Sequence, residues 1–489
     1  MKNTIKLAIF SLLICIFFES CEKDDSNSVP KEIAIQNFIW KGLNQYYLWQ
    51  NEVPNLSDTK FANQSDLNSF LYGYTNPDDL FQDLLNKPKS KFPAEGEAID
   101  RFSVLFPDYD ILEGILSGTT KNNGVEMGLY YKDASQTSLF GVVRYILPNS
   151  DASNKNIHRG DVFYGVNGET LTVSNYRTLL GNDSYTLNLA NYDNGNITPN
   201  GQSVSLTKTI LSENPVLLNT VINSGTHKIG YLVYNGFYPN YESQLNDAFG
   251  TLKAQGITEL VLDLRYNSGG SIATATRLAS MITGQFNNQI FAKEQWNAKL
   301  EDYYSTNNPQ TLLNLFTNTI NSNATINSLN LSKVYVLTTK STASASELVI
   351  NGLEPYINVI QIGDVTIGKN VGSITMYDSP TFAKEDINPS HRYAMQPLVL
   401  KIVNKVGFGD YINGLQPDTF LKENFSNLGI LGDQNEPLLS TAIARIVGGG
   451  RLLPQQPTKV YQELKESSLE KILETEMYLN EIPKGFLKK

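Results

Sequence analysis

A string of hydroxyl side chains at the start of a predicted helix is the first candidate for chemistry. Residues 341–347 read Ser-Thr-Ala-Ser-Ala-Ser-Glu and follow an apolar, strand-like segment. A hydroxyl in the first turn of a helix lies near free amide N–H groups and the positive end of the helix dipole, which favours an oxyanion. The same pattern is typical of an ordinary N-cap, because Glu347 would complete a capping box with Ser344. The string therefore leaves both a nucleophile and a structural cap open.

Lys369 is the candidate base, because a serine nucleophile needs a group that removes its proton. It follows Gly368 just after a predicted buried strand, where burial lowers the pKa of an amine and favours its neutral form. A third string, residues 263–270, reads Asp-Leu-Arg-Tyr-Asn-Ser-Gly-Gly at the end of another buried strand. Its paired glycines allow backbone angles that turn an N–H towards a ligand, or they form an ordinary strand-to-helix turn.

Together these strings resemble the family of C-terminal-processing (tail-specific) peptidases, which are serine peptidases of the S41 type. The family strings are Asp-Leu-Arg-x-Asn-x-Gly-Gly, Ser-Ala-Ser-Ala-Ser-Glu and Gly-Lys, and this chain has all three in order, with Thr342 in place of one serine. In the family the lysine follows the nucleophilic serine by 25 residues, which is the separation of Ser344 and Lys369. The resemblance therefore implies that Ser344 is the nucleophile and Lys369 its general base. It also implies that the backbone amides of Ala345 and Gly270 hold the oxyanion.

One position departs from the family pattern. The family commonly has a glutamine four residues after the lysine, where it supports the amine, and this chain has Ser373 there. A serine hydroxyl can accept a hydrogen bond from the amine, but its side chain is shorter than that of glutamine. The support role therefore falls to Ser373 or to another group, of which Thr375 is a candidate.

Other chemistries have little support in the composition. The chain has three histidines, and His391 is the one rival base, although no acidic residue accompanies it at a recognisable spacing. No metal, nucleotide or flavin motif occurs, so no cofactor is expected. With 39 Lys and Arg against 49 Asp and Glu, the net charge of −10 argues against nucleic-acid binding, which needs a cationic surface.

The first 21 residues predict that the chain is exported. Lys2 and Lys6 precede an apolar run over residues 7–18, which is shorter than the about 20 residues that span a bilayer and fits a secretory signal. The small residue before Cys21 resembles a bacterial lipobox, and this implies acylation of Cys21. We therefore expect an outer-membrane lipoprotein of the cell envelope, facing the periplasm or the cell surface. A plain signal peptide with an incidental cysteine is the alternative.

Composition and periodicity predict an α/β multidomain fold for the rest of the chain. The predicted parts are a tether (22–30), an N-terminal helical domain (31–115), a PDZ-like β domain (116–212), a serine peptidase domain (213–450) and a C-terminal tail (451–489), whose residues 460–479 have a helical pattern. The PDZ resemblance rests on residues 146–152 (Ile-Leu-Pro-Asn-Ser-Asp-Ala), on Gly160-Asp161 and on a predicted tight turn at Asn167-Gly168. Alternating strands and helices predict mostly parallel strands in the peptidase domain, for which the family resemblance implies a crotonase-like fold.

The resemblance implies a serine endopeptidase that recognises the accessible C-terminal tails of polypeptide substrates. A PDZ-like domain suits this task, because it offers a strand edge to an extended peptide. The alternative is a non-catalytic, peptide-binding envelope lipoprotein with a protease-like domain, which the serine at position 373 favours. A third interpretation, a structural lipoprotein of the envelope, would require neither Ser344 nor Lys369.

Overall fold

The computed structural model describes residues 28–94, 96–448, 456, 459–464, 476–483 and 485. The predicted signal segment, Cys21 and most of the predicted tether lie outside these residues. Within the described ranges, no helix is long and apolar enough to cross a membrane. The predicted mixed α/β, multidomain architecture with an N-terminal helical region is confirmed.

Short helices with side-chain caps make up the N-terminal region. Its elements are α1 (Ala34–Tyr46), α2 (Gln64–Leu71), α3 (Pro77–Asp83), β1 (Val104–Phe106) and α4 (Tyr109–Leu116). Asn63 accepts a hydrogen bond from the N–H of Asp66 at the start of α2, and Asn76 accepts one from Asp78 at the start of α3. The buried side chains of α1 to α3 share one hydrophobic core with the α/β domain that follows the β domain in the chain.

An antiparallel β domain follows. Its elements are β2 (Thr119–Asn122), β3 (Val125–Tyr131), β4 (Leu139–Ile146), β5 (Val162–Val166), β6 (Glu169–Thr170), α5 (Tyr176–Gly181), β7 (Ser184–Asp193), β8 (Asn196–Thr207) and β9 (Thr209–Ser212). The main sheet has the order β3-β4-β5-β7-β8, with β6 paired to β5 and with β3 at an edge. Asn167 and Gly168 have positive φ angles of 53° and 84° between the paired residues Val166 and Glu169, so the predicted tight turn is confirmed.

The third unit is an α/β domain. Its elements are β10 (Val216–Ser224), β11 (His227–Tyr234), α6 (Glu242–Ala254), β12 (Glu259–Asp263), β13 (Gly270–Ser271), α7 (Ile272–Thr283), β14 (Ile290–Trp296), α8 (Ala298–Asn307), β15 (Leu313–Leu315), β16 (Lys333–Thr338), α9 (Ala345–Leu353), β17 (Asn358–Gly363), β18 (Val371–Ile374), β19 (Met376–Tyr377), β20 (Ala394–Gln396), β21 (Leu398–Asn404), β22 (Thr419–Phe420) and α10 (Pro437–Val447). One sheet has the order β10-β11-β12-β16-β17-β22, and its neighbours from β11 onward are parallel, as predicted. Alternate side chains of its strands face two cores: Leu232 and Leu262 pack with α6, α7 and α9, whereas Tyr231 and Val261 pack with α10.

A second sheet brings the C-terminal tail beside the candidate catalytic strings. Its order is β13-β23-β18-β21-β14-β15, where β23 (Met477–Leu479) belongs to the predicted tail. Residues 461–464 are also extended, since Glu463 forms an antiparallel bridge with Tyr130. The helical pattern predicted for residues 460–479 is therefore wrong for the described part of the tail. Pairing with existing sheets satisfies the backbone groups that a helix would have satisfied internally.

Candidate active site

Ser344 lies at the N-cap of α9, in the turn that follows β16. Its φ of 64° and ψ of −115° are unusual for a residue with a side chain and require support from the surrounding structure. The side chain is fully buried, and the predicted capping box between Ser344 and Glu347 is present, yet Oγ makes no hydrogen bond of ordinary geometry with the described residues. A buried hydroxyl that is satisfied so poorly is costly, and a cap alone does not explain it.

Glu347 connects the backbone of the candidate nucleophile with that of the candidate base. Its Oε2 accepts the N–H of Ser344 at 2.7 Å and the N–H of Lys369 at 2.9 Å. Its Oε1 accepts the N–H of Gly368 at 2.7 Å and the hydroxyl of Thr366 at 2.5 Å. Burial raises the pKa of Glu347, although these four hydrogen bonds favour its ionised form. The sequence had suggested only a capping role for this residue, and the structure adds the contacts to the lysine segment.

The paired glycines lie directly against Ser344. Gly269 and Gly270 have φ angles of 122° and 134°, values that glycine adopts far more readily than other residues. A Cβ on Gly269 would stand 2.7 Å from the Cβ of Ser344, and one on Gly270 would stand 2.5 Å from the carbonyl oxygen of Phe237. Ala345 is the first residue of α9, where a helix leaves its N–H groups free of intrahelical partners.

Lys369 is fully buried between two groups from distant parts of the chain. Its Nζ lies 3.0 Å from Oε2 of Glu476 in the tail and 4.6 Å from the ring centroid of Phe102 in the N-terminal region. Burial lowers the pKa of Lys369, although the charge of Glu476 acts in the opposite direction. Burial also raises the pKa of Glu476. Both shifts favour the neutral forms, so a deprotonated amine is accessible at this position.

Ser373 reaches the same carboxylate as Lys369. Its Oγ lies 2.7 Å from Oε2 of Glu476 and 2.7 Å from Oε1 of Gln396. A hydroxyl carries a single proton, so Ser373 donates to only one of these two oxygens at a time. The other candidate for the support role, Thr375, accepts a hydrogen bond from Nε2 of Gln396 at 2.8 Å.

Three residues of this site carried no recognisable signal in the sequence. Glu476 is one of several acidic residues in a charged tail, and Arg101 and Phe102 belong to a segment between helices. Nη2 of Arg101 donates to the carbonyl oxygen of Gly368 at 2.5 Å, across 267 positions of the chain. Such contacts arise only when the N-terminal region and the tail pack onto the α/β domain.

The Asp-Leu-Arg part of the glycine string has a structural role. Arg265 is almost fully buried and lies 2.8 Å from Asp263 and 2.7 Å from Glu436. Glu423 is shared by Arg265 at 3.1 Å and by Arg159 of the β domain at 2.6 Å. This buried network fixes the strand that leads to the paired glycines and joins it to the β domain.

His391, the rival base, stands elsewhere. Its Nε2 lies 3.0 Å from Oδ2 of Asp378, and its ring centroid lies 6.3 Å from that of Phe38 in α1. An acidic partner that the sequence did not reveal is therefore present. These contacts nevertheless tie His391 to the N-terminal helices, and none of them involves Ser344.

Two regions of the chain match known protein families. Residues 228–379 match the family model described as peptidase family S41, and residues 34–104 match the one described as the peptidase S41 N-terminal domain. The first region includes the glycine string, Ser344, Lys369 and Ser373. The second includes α1, α2 and α3.

Curated relatives match parts of the chain. Carboxyl-terminal-processing peptidase 2 of Arabidopsis thaliana chloroplasts is 30% identical over 255 residues, which cover 50% of this chain and 45% of that protein. The chloroplast C-terminal processing peptidase of Tetradesmus obliquus is 26% identical over 181 residues, which cover 35% of either chain. The chain thus spans less than half the length of these relatives.

A solved structure shows the same fold over most of the chain. It is described as an S41 protease from Bacteroides fragilis, and it superposes with a TM-score of 0.64 at 25% sequence identity. The match covers 84% of this chain and 97% of that one. The chain therefore contains two regions that match models of peptidase family S41, and it shares the fold of this solved structure.

Proposed function

We propose that this protein is a serine endopeptidase in which Ser344 is the nucleophile and Lys369 the general base. One observation carries the proposal: a fully buried and poorly satisfied serine hydroxyl begins a helix whose Glu347 also binds the backbone of a buried lysine. A cap alone would engage its hydroxyl fully. The arrangement instead provides a nucleophile without a hydrogen bond of ordinary geometry and an amine that burial drives towards its neutral form.

The proposed reaction assigns one step to each of these groups. Neutral Lys369 takes the proton of the Ser344 hydroxyl while Oγ attacks the carbonyl carbon of a peptide bond. The N–H groups of Ala345 and Gly270 stabilise the resulting oxyanion. The lysine then protonates the leaving amine, and the acyl-enzyme is hydrolysed by a water that Lys369 deprotonates. Ser373, four residues after the lysine, takes the support role that the family resemblance assigns to this position.

Substrates are polypeptides with accessible C-terminal tails, which the β domain binds in the manner of a PDZ domain. Strand β3 lies at the edge of the main sheet, and such an edge accepts an extended peptide by strand addition. The α/β domain corresponds to the crotonase-like unit that the family resemblance implies. Its parallel sheet and its helices support the glycine, serine and lysine strings at one site.

The protein acts in the cell envelope as an outer-membrane lipoprotein. The support is in the sequence: two lysines, an apolar run and a small residue precede Cys21, the position at which a lipoprotein is acylated. Metabolic labelling with a fatty-acid analogue is expected to mark the full chain and not the Cys21→Ala variant.

A non-catalytic peptide-binding lipoprotein is the second candidate. The ion pair between Lys369 and Glu476 favours it, because an ammonium ion cannot accept the proton of a serine. The pKa of the amine is nevertheless lowered despite that contact. Cleavage of an unstructured polypeptide decides between the two.

A form that lacks residues 1–21 is expected to cut an unstructured polypeptide at internal bonds, and Lys369→Ala is expected to lower kcat about 10²–10⁴-fold, because it removes the general base. The products are identified by mass spectrometry. Lys401→Ala is the matched control: this lysine of β21 pairs with Asp410 on the surface, and its loss should leave the rate unchanged. If peptides bind to the unsubstituted protein but it cuts none of them, the peptidase proposal is wrong and the non-catalytic peptide-binding lipoprotein is favoured.

The activity is expected to rise with pH and to reach half its maximum below 10.5, the ordinary pKa of lysine. Only the neutral amine accepts a proton, and burial lowers the pKa of Lys369. Glu476→Gln removes the charge that raises this pKa, so the rising limb should move to lower pH. The measurement is kcat/KM as a function of pH for both proteins. If the rising limb has the same midpoint in the Glu476→Gln variant, then a group other than Lys369 is responsible for the pH dependence.

A further inference from the structure

Two described pieces of the C-terminal tail occupy sites that a peptide substrate would need. The first piece, residues 461–464, adds to the edge strand β3 of the β domain. The N–H of Tyr131 donates to the carbonyl of Gln462 at 3.0 Å, and the N–H of Leu464 donates to the carbonyl of Leu129 at 2.8 Å. This is the antiparallel strand addition by which a sheet edge binds an extended peptide.

The side chains of this piece are recognised in alternation, as in a bound strand. Leu464 is 8% exposed and belongs to the hydrophobic core of the β domain. On the other face, Glu463 pairs with Arg144. The ring of Tyr461 lies 4.8 Å from that of Phe140, centroid to centroid. The contacts describe an extended peptide with an aromatic residue, an acidic residue and a leucine.

The second piece, β23, lies between the glycines and the strand that follows Lys369. It is parallel to both neighbours, with Met477 opposite Gly270 and Tyr478 opposite Ser373. The carbonyl oxygen of Glu476 lies 3.1 Å from the point where a Cβ on Gly269 would stand, and so does Oγ of Ser344. The tail backbone therefore passes beside the candidate nucleophile.

This placement leaves no free edge for a substrate between β13 and β18. Each of the two strands already pairs with β23 on the side that faces the other. The side chain of Glu476 also pairs with Lys369 and raises the pKa that catalysis needs to be low. The tail thus opposes the reaction both by occupying space and by its charge.

We propose that the C-terminal tail of this chain is an intramolecular peptide ligand, which fills the β3 edge with residues 461–464 and the catalytic cleft with residues 476–479. It keeps the enzyme in a self-occupied, weakly active state until another peptide displaces it from β3. The proposal rests on the proposed peptidase function. It also defines the competing ligand: an extended peptide with an acidic residue for Arg144 and an aliphatic residue for the pocket of Leu464.

The tail occupies the β3 edge in most molecules, so another peptide binds only to the fraction of molecules in which this edge is open. The apparent affinity for that peptide falls in proportion to this fraction. Release of the first piece from β3 should therefore expose the edge and weaken the hold of the second piece on the cleft. The contrary structural interpretation treats β23 as a fixed strand of the sheet and Glu476 as a permanent support for Lys369. The two interpretations predict opposite effects on activity when the tail contacts are broken.

The test uses the full chain with Leu464→Asp, which places a charge in the apolar pocket. We expect the kcat/KM for an unstructured polypeptide to rise about 10-fold. Val460→Asp is the matched control, because Val460 immediately precedes this piece and is 59% exposed, and the substitution should leave kcat/KM unchanged. A folded Leu464→Asp protein with unchanged or lower activity would overturn the proposal in favour of a fixed structural strand.

A binding measurement keeps the test independent of catalysis. A fluorescent peptide with the sequence of residues 459–464 is expected to bind the Leu464→Asp protein about 10-fold more tightly than the unsubstituted protein, because the β3 edge is then free. Added to the unsubstituted protein, the same peptide should raise cleavage. Equal affinity for both proteins would contradict self-occupancy. If no protein cuts but the affinities differ as expected, the peptidase assignment fails and the self-occupied edge stands.

Discussion

Ser344→Ala is expected to lower kcat/KM by about 10⁴-fold or more while leaving the protein at least as stable as before. The loss of activity follows from removal of the atom that forms the acyl-enzyme. Stability is preserved because Oγ is buried without a hydrogen bond of ordinary geometry to the described residues, so its removal deletes a poorly satisfied polar group rather than a strong interaction. A stable and inactive variant is the signature of a site where function is kept at the expense of stability.

The neighbouring serine of the same string supplies the control for this prediction. Ser346 is also fully buried, but its Oγ donates to the carbonyl of Asn267 at 2.9 Å. Ser346→Ala should therefore lower the free energy of unfolding by about 1 kcal/mol and retain most of the activity. Urea denaturation and cleavage of one polypeptide, measured on both variants, check the pair. If the two alanine variants exchanged these effects, Ser346 would be the nucleophile.

Glu347→Ala is expected to have the largest combined effect on the site, because it lowers stability and activity together. The substitution leaves three buried N–H groups, those of Ser344, Gly368 and Lys369, without their acceptor. The free energy of unfolding should fall by about 3 kcal/mol or more. In the fraction that remains folded, kcat should fall about 100-fold, because the serine and the lysine lose the group that positions both backbones.

Glu347→Gln should be nearly as harmful as the alanine variant. Each carboxylate oxygen of Glu347 accepts two hydrogen bonds. The amide nitrogen of a glutamine would therefore face N–H or O–H donors in either orientation of the amide. Glu354→Gln, at the exposed C-terminal end of the same helix, should change stability by less than about 0.5 kcal/mol. Urea denaturation and kcat measured on the three variants provide the check. A Glu347→Gln protein that resembled the parent would show that these bonds do not hold the site.

The two acidic residues of the site have different proposed roles: Glu347 positions the backbone, and Glu476 inhibits the lysine. Glu347 contacts backbone N–H groups on the side of the α9 N-terminus. Glu476 contacts the amine of Lys369 from the tail side. A tail that leaves the cleft would remove the second carboxylate and keep the first, so the geometry of the serine and lysine backbones would persist when the amine becomes available.

The short-range features of this protein could be predicted from its sequence. The family resemblance, with its 25-residue separation, singled out Ser344 and Lys369, and their N–H groups bind one carboxylate oxygen in the structure. The Asn167-Gly168 turn and the parallel order of the strands from β11 onward were also predictable. Such features depend on conformational preferences and periodicities within a few residues, which one sequence displays directly.

The surroundings of the candidate catalytic pair depend on how distant parts of the chain pack together. The tail had a helical pattern, yet Glu463 and Met477 lie in extended segments, because unpaired edges of two sheets were available to them. Glu476 and Phe102 meet at Lys369 from opposite ends of the chain, and no local signal marks either residue. Contacts between distant segments depend on which edges and apolar faces the rest of the fold leaves uncovered, and this information is distributed over the whole chain rather than held in any one string.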